Sequence, residues 1–184
     1  MYGTPKRRMF NDQKEFMSKL TVACVYWDGP FRGRETIYDT TWIEKLKHMV
    51  QRNLHTPHNF VCLSNIKPPC DHIALKHNWP GYWSKIELFR PELFNDVDKV
   101  LYLDLDTLVL QDLQPIVDFP SDFAMLKAHG TQRKKEGKWL LGKYNSSVML
   151  FNPGITRDLY SAFAKQPETR SEERRVGKEC VSEC

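Results

Sequence analysis

Two aspartates one residue apart, Asp104 and Asp106, follow directly on the apolar run Val100, Leu101, Tyr102, Leu103. In an extended chain, residues i and i+2 point to the same side, so the two carboxylates are expected to converge on one point. Like charges held together repel unless a cation sits between them. Carboxylate oxygens are hard ligands that suit magnesium or manganese, ions that also bridge to phosphate oxygens. The chemistry expected of such a pair is stabilisation of a departing diphosphate. Position adds weight, because ligands of open α/β sheets bind beyond the carboxyl ends of strands. The motif alone is weak, since strand-end turns favour Asp for their own sake.

Other residues with chemical potential carry less. His55 and His58 form an H-x-x-H pair with His72 and His77 nearby, but no carboxylate partners them at helical spacing, so they read as loop histidines. His129 follows an expected strand and reads as structural or solvent-facing. Arg133, Lys134, Lys135 and Lys138 read as a solvated loop able to attract a diphosphate. A phosphatase of the haloacid dehalogenase type would require D-x-D-x-T early in the chain. Here Thr107 follows Asp106 directly and the motif lies mid-chain, which disfavours that alternative.

The elements that must position these groups follow from periodicity. Residues 20–27 form an apolar, β-rich run ended by Asp28-Gly29-Pro30, read as a buried strand and a turn. Ile43, Leu46, Met49 and Val50 recur at helical spacing within residues 38–53, with Asp39 or Thr40 as the cap. Residues 59–63 and 99–103 read as strands, and residues 64–80 as turn-rich. A helix is expected over residues 83–88, limited by Pro91. Leu108 to Leu110 resumes an extended pattern, 123–126 and 147–151 read as short strands, and 158–164 as a helix. Strands alternating with helices imply a parallel or mixed sheet covered by helices.

Bulk properties exclude several classes. A length of 184 residues suits one domain, and 41% hydrophobic with 27% charged residues is the composition of a folded chain, not a disordered one. The net charge of +4 is too mild and scattered to argue for nucleic acid. No apolar run approaches the roughly 20 residues a membrane span needs. The basic start, Met1 to Arg8, lacks an apolar region after it, so no secretory signal is expected. The five cysteines, an odd count, then read as reduced thiols of a cytoplasmic protein.

Residues 170–184 differ from the rest. The string from Arg170 to Cys180 is what results from translating a standard short-read sequencing adapter, so this tail is read as no part of the fold. Its charges cancel, Arg170, Arg174, Arg175 and Lys178 against Glu172, Glu173, Glu179 and Glu183. The natural chain is expected to continue past Thr169, with residues 1–169 a partial nucleotide-sugar-binding domain.

Three segments carry a resemblance. Residues 100–109, around Asp104-Leu105-Asp106-Thr107, resemble the metal-binding motif of family 8 glycosyltransferases, the glycogenin and bacterial galactosyltransferase type. Trp83-Ser84-Lys85-Ile86-Glu87-Leu88-Phe89 resembles that family's helix bearing a lysine near the sugar diphosphate. Residues 144–152 are similar to its Phe-Asn-Ser-Gly-Val-Met segment at the donor sugar. Order and spacing agree across residues 20–164. The resemblance implies a glycosyltransferase A fold, a Rossmann-like, mixed and mostly parallel sheet flanked by helices, incomplete at the C-terminus. It implies a manganese- or magnesium-dependent hexosyltransferase that uses a nucleotide diphosphate sugar, uridine-linked, and a carbohydrate or other hydroxyl acceptor, with retention. Asp104 would contact ribose or sugar hydroxyls and share the metal, and Asp106 would be its principal ligand. Lys85 would approach the donor phosphates or sugar, with Asn145 and Ser146 positioning the sugar. Val25 and Tyr26 would hold the base, Tyr38 would stack on it, and Leu105 would complete the donor-contacting set. Trp79, Tyr82 and Trp83 read as core or rim aromatics, with acceptor stacking as the other reading. Two departures stand out. Ser147 replaces the usual glycine, restricting backbone approach, and the family's third metal ligand, a later histidine, has no counterpart. A non-catalytic nucleotide-sugar-binding fragment is therefore the alternative.

Overall fold

The structure, a computed structural model, describes residues 20–30, 33, 35, 38–77, 79–127, 132–135, 138–141 and 144–165. His129, the segment Met1 to Arg8 and the tail from Arg170 lie outside the described residues.

Strand β1, Leu20–Tyr26, is buried at every position but Val25, as an apolar run in the middle of a sheet must be. It pairs in parallel with β2 (Asn59–Ser64) on one side and β4 (Lys99–Leu103) on the other. A short β3 (Asp71–Ala74) extends the β2 edge, also in parallel. On the far side of β4 lie β8 (Tyr144–Phe151), antiparallel, and then β5 (Phe123–Lys127), giving a six-stranded mixed sheet in the order β3-β2-β1-β4-β8-β5.

Alternation along each strand divides the apolar residues between the two faces. Val22, Cys24 and Tyr26 of β1 join Leu101 and Leu103 of β4 on one face. There α1 (Thr40–Asn53) covers them with Ile43, Leu46 and Val50, the stripe expected at helical spacing. Asp39 caps that helix, its side chain accepting from Thr41 N at 2.9 Å. On the other face, Ala23, Val61, Leu63, Tyr102, Met149 and Phe151 pack against Leu88 and Phe89, with Tyr160 of the helix α3 (Arg157–Ala164) beside them.

The segment expected as an ordinary helix over 83–88 is a 3-10 helix, Gly81–Phe89, bracketed by Pro80 and Pro91. Winding of three residues per turn stacks Ser84, Glu87 and Arg90 in one line. All three are buried. Ser84 Oγ donates to Gly81 O (2.6 Å), while Glu87 accepts from the main-chain N–H of Lys76 (2.6 Å) and His77 (2.9 Å) and from Arg90 Nη1 (3.1 Å). Glu87 thereby fastens the loop after β3 to this helix.

Three further expectations change. Leu108 to Leu110 is not a strand: Val109 is buried while Leu108 and Leu110 are 71% and 82% exposed, but among the described residues no strand pairs with this backbone. The basic segment expected as a loop forms two antiparallel strands, β6 (Gln132–Lys135) and β7 (Lys138–Leu141). The turn-rich stretch 64–80 contains β3, and a one-turn helix α2 (Gln114–Val117) follows the aspartate pair. Both are too short for periodicity to reveal.

Candidate functional site

The chain builds β1, β2 and β3 outward in one direction and returns to lay β4 on the opposite side of β1. The carboxyl ends of β1 and β4 therefore flank the switch point, where an open α/β sheet has its crevice. Val25 and Tyr26 end β1 there, and Asp104 leaves β4 beside them.

Asp104 and Asp106 do not continue the strand. A hydrogen bond from Thr107 N to Asp104 O (3.0 Å) closes a turn over 104–107, and Leu105 between the carboxylates is buried in the core. The extended i, i+2 geometry expected from sequence is thus replaced by a turn anchored by Leu105, and each carboxylate has its own partners. Leu105 has only main-chain groups to offer a ligand.

Asp104 is held from three elements. Its N–H donates to Ser147 O (2.8 Å), its Oδ1 lies 2.7 Å from Lys85 Nζ of the 3-10 helix, and the Tyr102 hydroxyl of β4 donates to the same oxygen. The Lys85 ammonium also reaches Ser146 O and Ser146 Oγ (3.3 Å each) and sits 5.0 Å from the Tyr102 ring centroid. Against β5, β8 slips its register: Leu126 pairs with Asn145 but Met125 pairs with Met149. This irregularity releases Ser146 and Ser147 from β5 beside the site, a usual place for such a bulge. Asn145 Oδ1 accepts from Ser147 N (2.8 Å) and shapes the same bend. Ser147 keeps a negative φ, so the strand needs no glycine there.

At the other end, the exposed Asp106 accepts from the Tyr38 hydroxyl (Oδ2, 3.0 Å), and Tyr38 meets Trp42 edge to face at 5.4 Å. The Tyr26 hydroxyl lies 3.2 Å from both Asp28 Oδ1 and Tyr38 O. Val25 faces the opposite side of the sheet, half-buried against the second core cluster. Burial holds the Tyr102 phenol well above its ordinary pKa, and the nearby Asp104 charge adds to this. Partial burial raises Tyr38 too, together with its bond to Asp106. Both phenols therefore remain protonated donors to the two carboxylates at neutral pH.

The structure thus brings Lys85, Asp104, Asn145 and Ser146 together around β4 and β8, and Tyr26, Tyr38 and Asp106 together beside β1. Tyr102, which donates to Asp104, and Glu87, which fastens the helix bearing Lys85, shape the site without standing out in the sequence. The only sequence signal for Tyr102 is its i−2 spacing from Asp104. Of the histidines, His58 Nδ1 lies 2.7 Å from Thr56 O and His72 Nε2 3.0 Å from Ser64 O. His77 stacks on Trp79 (4.1 Å) and contacts Tyr160 Oη (2.7 Å). All three are engaged locally. Trp79 and Trp83 pack on Phe163, and Tyr82, which contacts Trp83, is 48% exposed.

The two aspartates fit a hard divalent cation in donor type. Each has one oxygen held by the protein, and among the described residues none hydrogen-bonds to Asp104 Oδ2 or Asp106 Oδ1. Among those residues no group of three or more His, Cys, Asp or Glu could hold a metal ion, so any further ligands would come from elsewhere. No described helix is long and apolar enough to cross a membrane.

A mixed sheet with this strand order, and a strand-end carboxylate pair at its switch point, is the Rossmann-like architecture of the glycosyltransferase A fold. The chain belongs to glycosyl transferase family 8, which matches residues 38–160. In fold it is similar to the galactosyltransferase LgtC, solved with donor and acceptor sugar analogs, at 18% identity and TM-score 0.52 over 75% of this chain and 59% of that one. It is likewise similar to the glycosyltransferase GlyE of Streptococcus pneumoniae TIGR4, at 16% identity and TM-score 0.52 over 80% of this chain and 39% of that one. The chain thus spans 59% and 39% of the lengths of these two proteins. No curated protein matches it in sequence.

Proposed function

We propose that this domain binds a nucleotide diphosphate sugar, uridine-linked, and transfers its hexose to a hydroxyl of a carbohydrate or other acceptor with retention of configuration. The observation that carries the reading is the convergence of Lys85 Nζ on Asp104 Oδ1 and on Ser146 O and Oγ, at the sheet's switch point. When bound at Asp104 and Asp106, manganese or magnesium would neutralise charge on the diphosphate. Lys85 supplies a second, fixed positive charge for the departing diphosphate, already oriented before the donor arrives. Asn145 and Ser146, on the bend of β8, present a carboxamide and a hydroxyl to the hexose. The Tyr102 hydroxyl and the Asp104 N–H to Ser147 O bond keep Asp104 from rotating away. Tyr38 offers an aromatic face near the nucleoside. Free thiols at Cys24, Cys62 and Cys70 agree with a cytoplasmic setting.

Calorimetry of UDP with and without manganese, on this chain and on Asp106→Asn, tests the reading. Wild type is expected to bind UDP more tightly with metal, and the variant to lose that gain. If wild type shows no gain, the proposal fails. If the gain appears but no sugar is released from UDP-glucose or UDP-galactose, the chain is a binding fragment and not a catalyst.

A further inference from the structure

Just past the carboxyl ends of β1 and β2, where their backbone pairing stops at Tyr26 and Ser64, the two loops are joined by a side chain. Asn65, immediately after β2, accepts from Asp28 N through Oδ1 and donates to Asp28 O through Nδ2, both at 2.7 Å. A carboxamide carries one acceptor and donors at the same end, so it can engage both main-chain groups of a single residue. Connections continue from Asp28. Its Oδ1 is 3.2 Å from the Tyr26 hydroxyl, which is 3.2 Å from Tyr38 O, and the Tyr38 hydroxyl donates to Asp106 at 3.0 Å. The path next to Asp28 is narrow as well. A Cβ on Gly29 would lie 2.6 Å from the Trp27 ring, at a backbone φ of +155° that side chains rarely adopt.

Direction along the sheet edge gives this network a use. Lys85 and Ser146 place the sugar toward β8, and Asp104 and Asp106 place the diphosphate at the end of β4. The nucleoside then extends the opposite way, over the ends of β1 and β2, onto Asp28. We propose that Asn65 is a positioning residue for the nucleobase: by gripping the main chain of Asp28 it fixes the loop, and through Tyr26 the Tyr38 ring, that the base must meet. This rests on the nucleotide-sugar reading above. Polar groups held in one arrangement discriminate between bases, whereas a loop free to adapt loses that discrimination and adds an ordering cost to binding.

The test is calorimetry of UDP and ADP, each with manganese, on the full chain and on Asn65→Ala and Asn65→Asp. Asp at this position still accepts from Asp28 N but cannot donate to Asp28 O. Wild type is expected to prefer UDP. Both variants are expected to lose UDP affinity by about tenfold and ADP affinity by less than about twofold, so that the preference shrinks. Asn65 is exposed, and thermal unfolding of each variant is expected to match wild type. Retention of the full UDP preference by both variants overturns the proposal, as does equal loss of UDP and ADP affinity, which would mark a general structural role. So does a wild type without base preference. Absence of any manganese-dependent UDP binding in wild type instead sinks the nucleotide-sugar reading itself, and this inference with it.

Discussion

The Lys85 ammonium and the Asp104 carboxylate meet at 2.7 Å, with side chains 16% and 24% exposed. An ion pair at this depth is less screened than one on the open surface, yet it is not in a dry interior. Lys85 comes from the 3-10 helix on one face of the sheet and Asp104 from the end of β4. The lysine also reaches Ser146 on β8. One ammonium therefore locks three separate elements into the arrangement a donor would meet.

Removing that charge is expected to be expensive for chemistry. Lys85→Ala should lower the rate of sugar release from a uridine-linked donor by roughly 10²–10³, the usual cost of losing one preorganised stabilising group. Lys85→Arg keeps the charge, but its planar fork does not suit acceptors arranged around a point ammonium, so recovery should be partial. Initial rates under saturating donor measure this, and a wild-type rate in the alanine variant would remove Lys85 from the mechanism.

Tyr38 has two separable contributions, a hydroxyl on Asp106 and a ring against Trp42. Tyr38→Phe removes only the first. It should alter manganese-dependent UDP affinity by a few-fold at most, within about 1 kcal/mol of a single hydrogen bond. Tyr38→Ala removes the ring as well and should cost about tenfold or more. Equal affinities for the two variants in calorimetry would show that the ring has no part in nucleotide binding.

Glu87 is completely buried and Arg90 nearly so, 3.1 Å apart. Glu87→Ala takes the nearer carboxylate from a buried guanidinium, leaving it only Glu92 at 3.7 Å, and leaves two main-chain N–H groups without their acceptor. A loss of about 3–5 kcal/mol is expected, seen as a fall in melting temperature of about 2–4 °C for each kcal/mol. Replacing both residues by apolar ones of similar size, Glu87→Leu with Arg90→Met, should cost less than Glu87→Ala alone. A double variant that melts lower would refute the isolated-charge explanation.

Alkaline pH should loosen the fold through Tyr102. Its folded pKa is raised, chiefly by burial and then by Asp104, so the neutral phenol is favoured in the folded chain. The associated stability is fully present below the unfolded phenol value of about 10 and is lost as pH rises past it toward the folded value. Tyr102→Phe cannot ionise and should show a shallower decline in melting temperature above about pH 10. Parallel declines for the two proteins would mean that other tyrosines dominate.

Much of this was legible in sequence because it rests on local rules. The run 100–103 is wholly apolar and leads straight into a carboxylate, so both the strand β4 and the place of Asp104 follow from pattern alone. Ile43, Leu46 and Val50 mark the buried face of α1, and Asp39 or Thr40 its start, of which the structure selects Asp39. The three motif segments, with Lys85, Asp104, Asp106, Asn145 and Ser146, carry the family resemblance in the sequence itself. Tertiary structure decided how those residues face one another. Only the return of the chain across β1 sets β4 at a switch point, and only the bend of β8 brings Ser146 to Lys85. The turn over 104–107, which gives the two aspartates separate partners, depends on Leu105 entering a core assembled from distant strands. The bonds of Asn65 to Asp28, and of Glu87 to Lys76 and His77, left no mark in the sequence, because they go to the main chain of residues whose identity they do not constrain. Such contacts arise from where the backbone passes, and periodicity and residue type carry no record of that path.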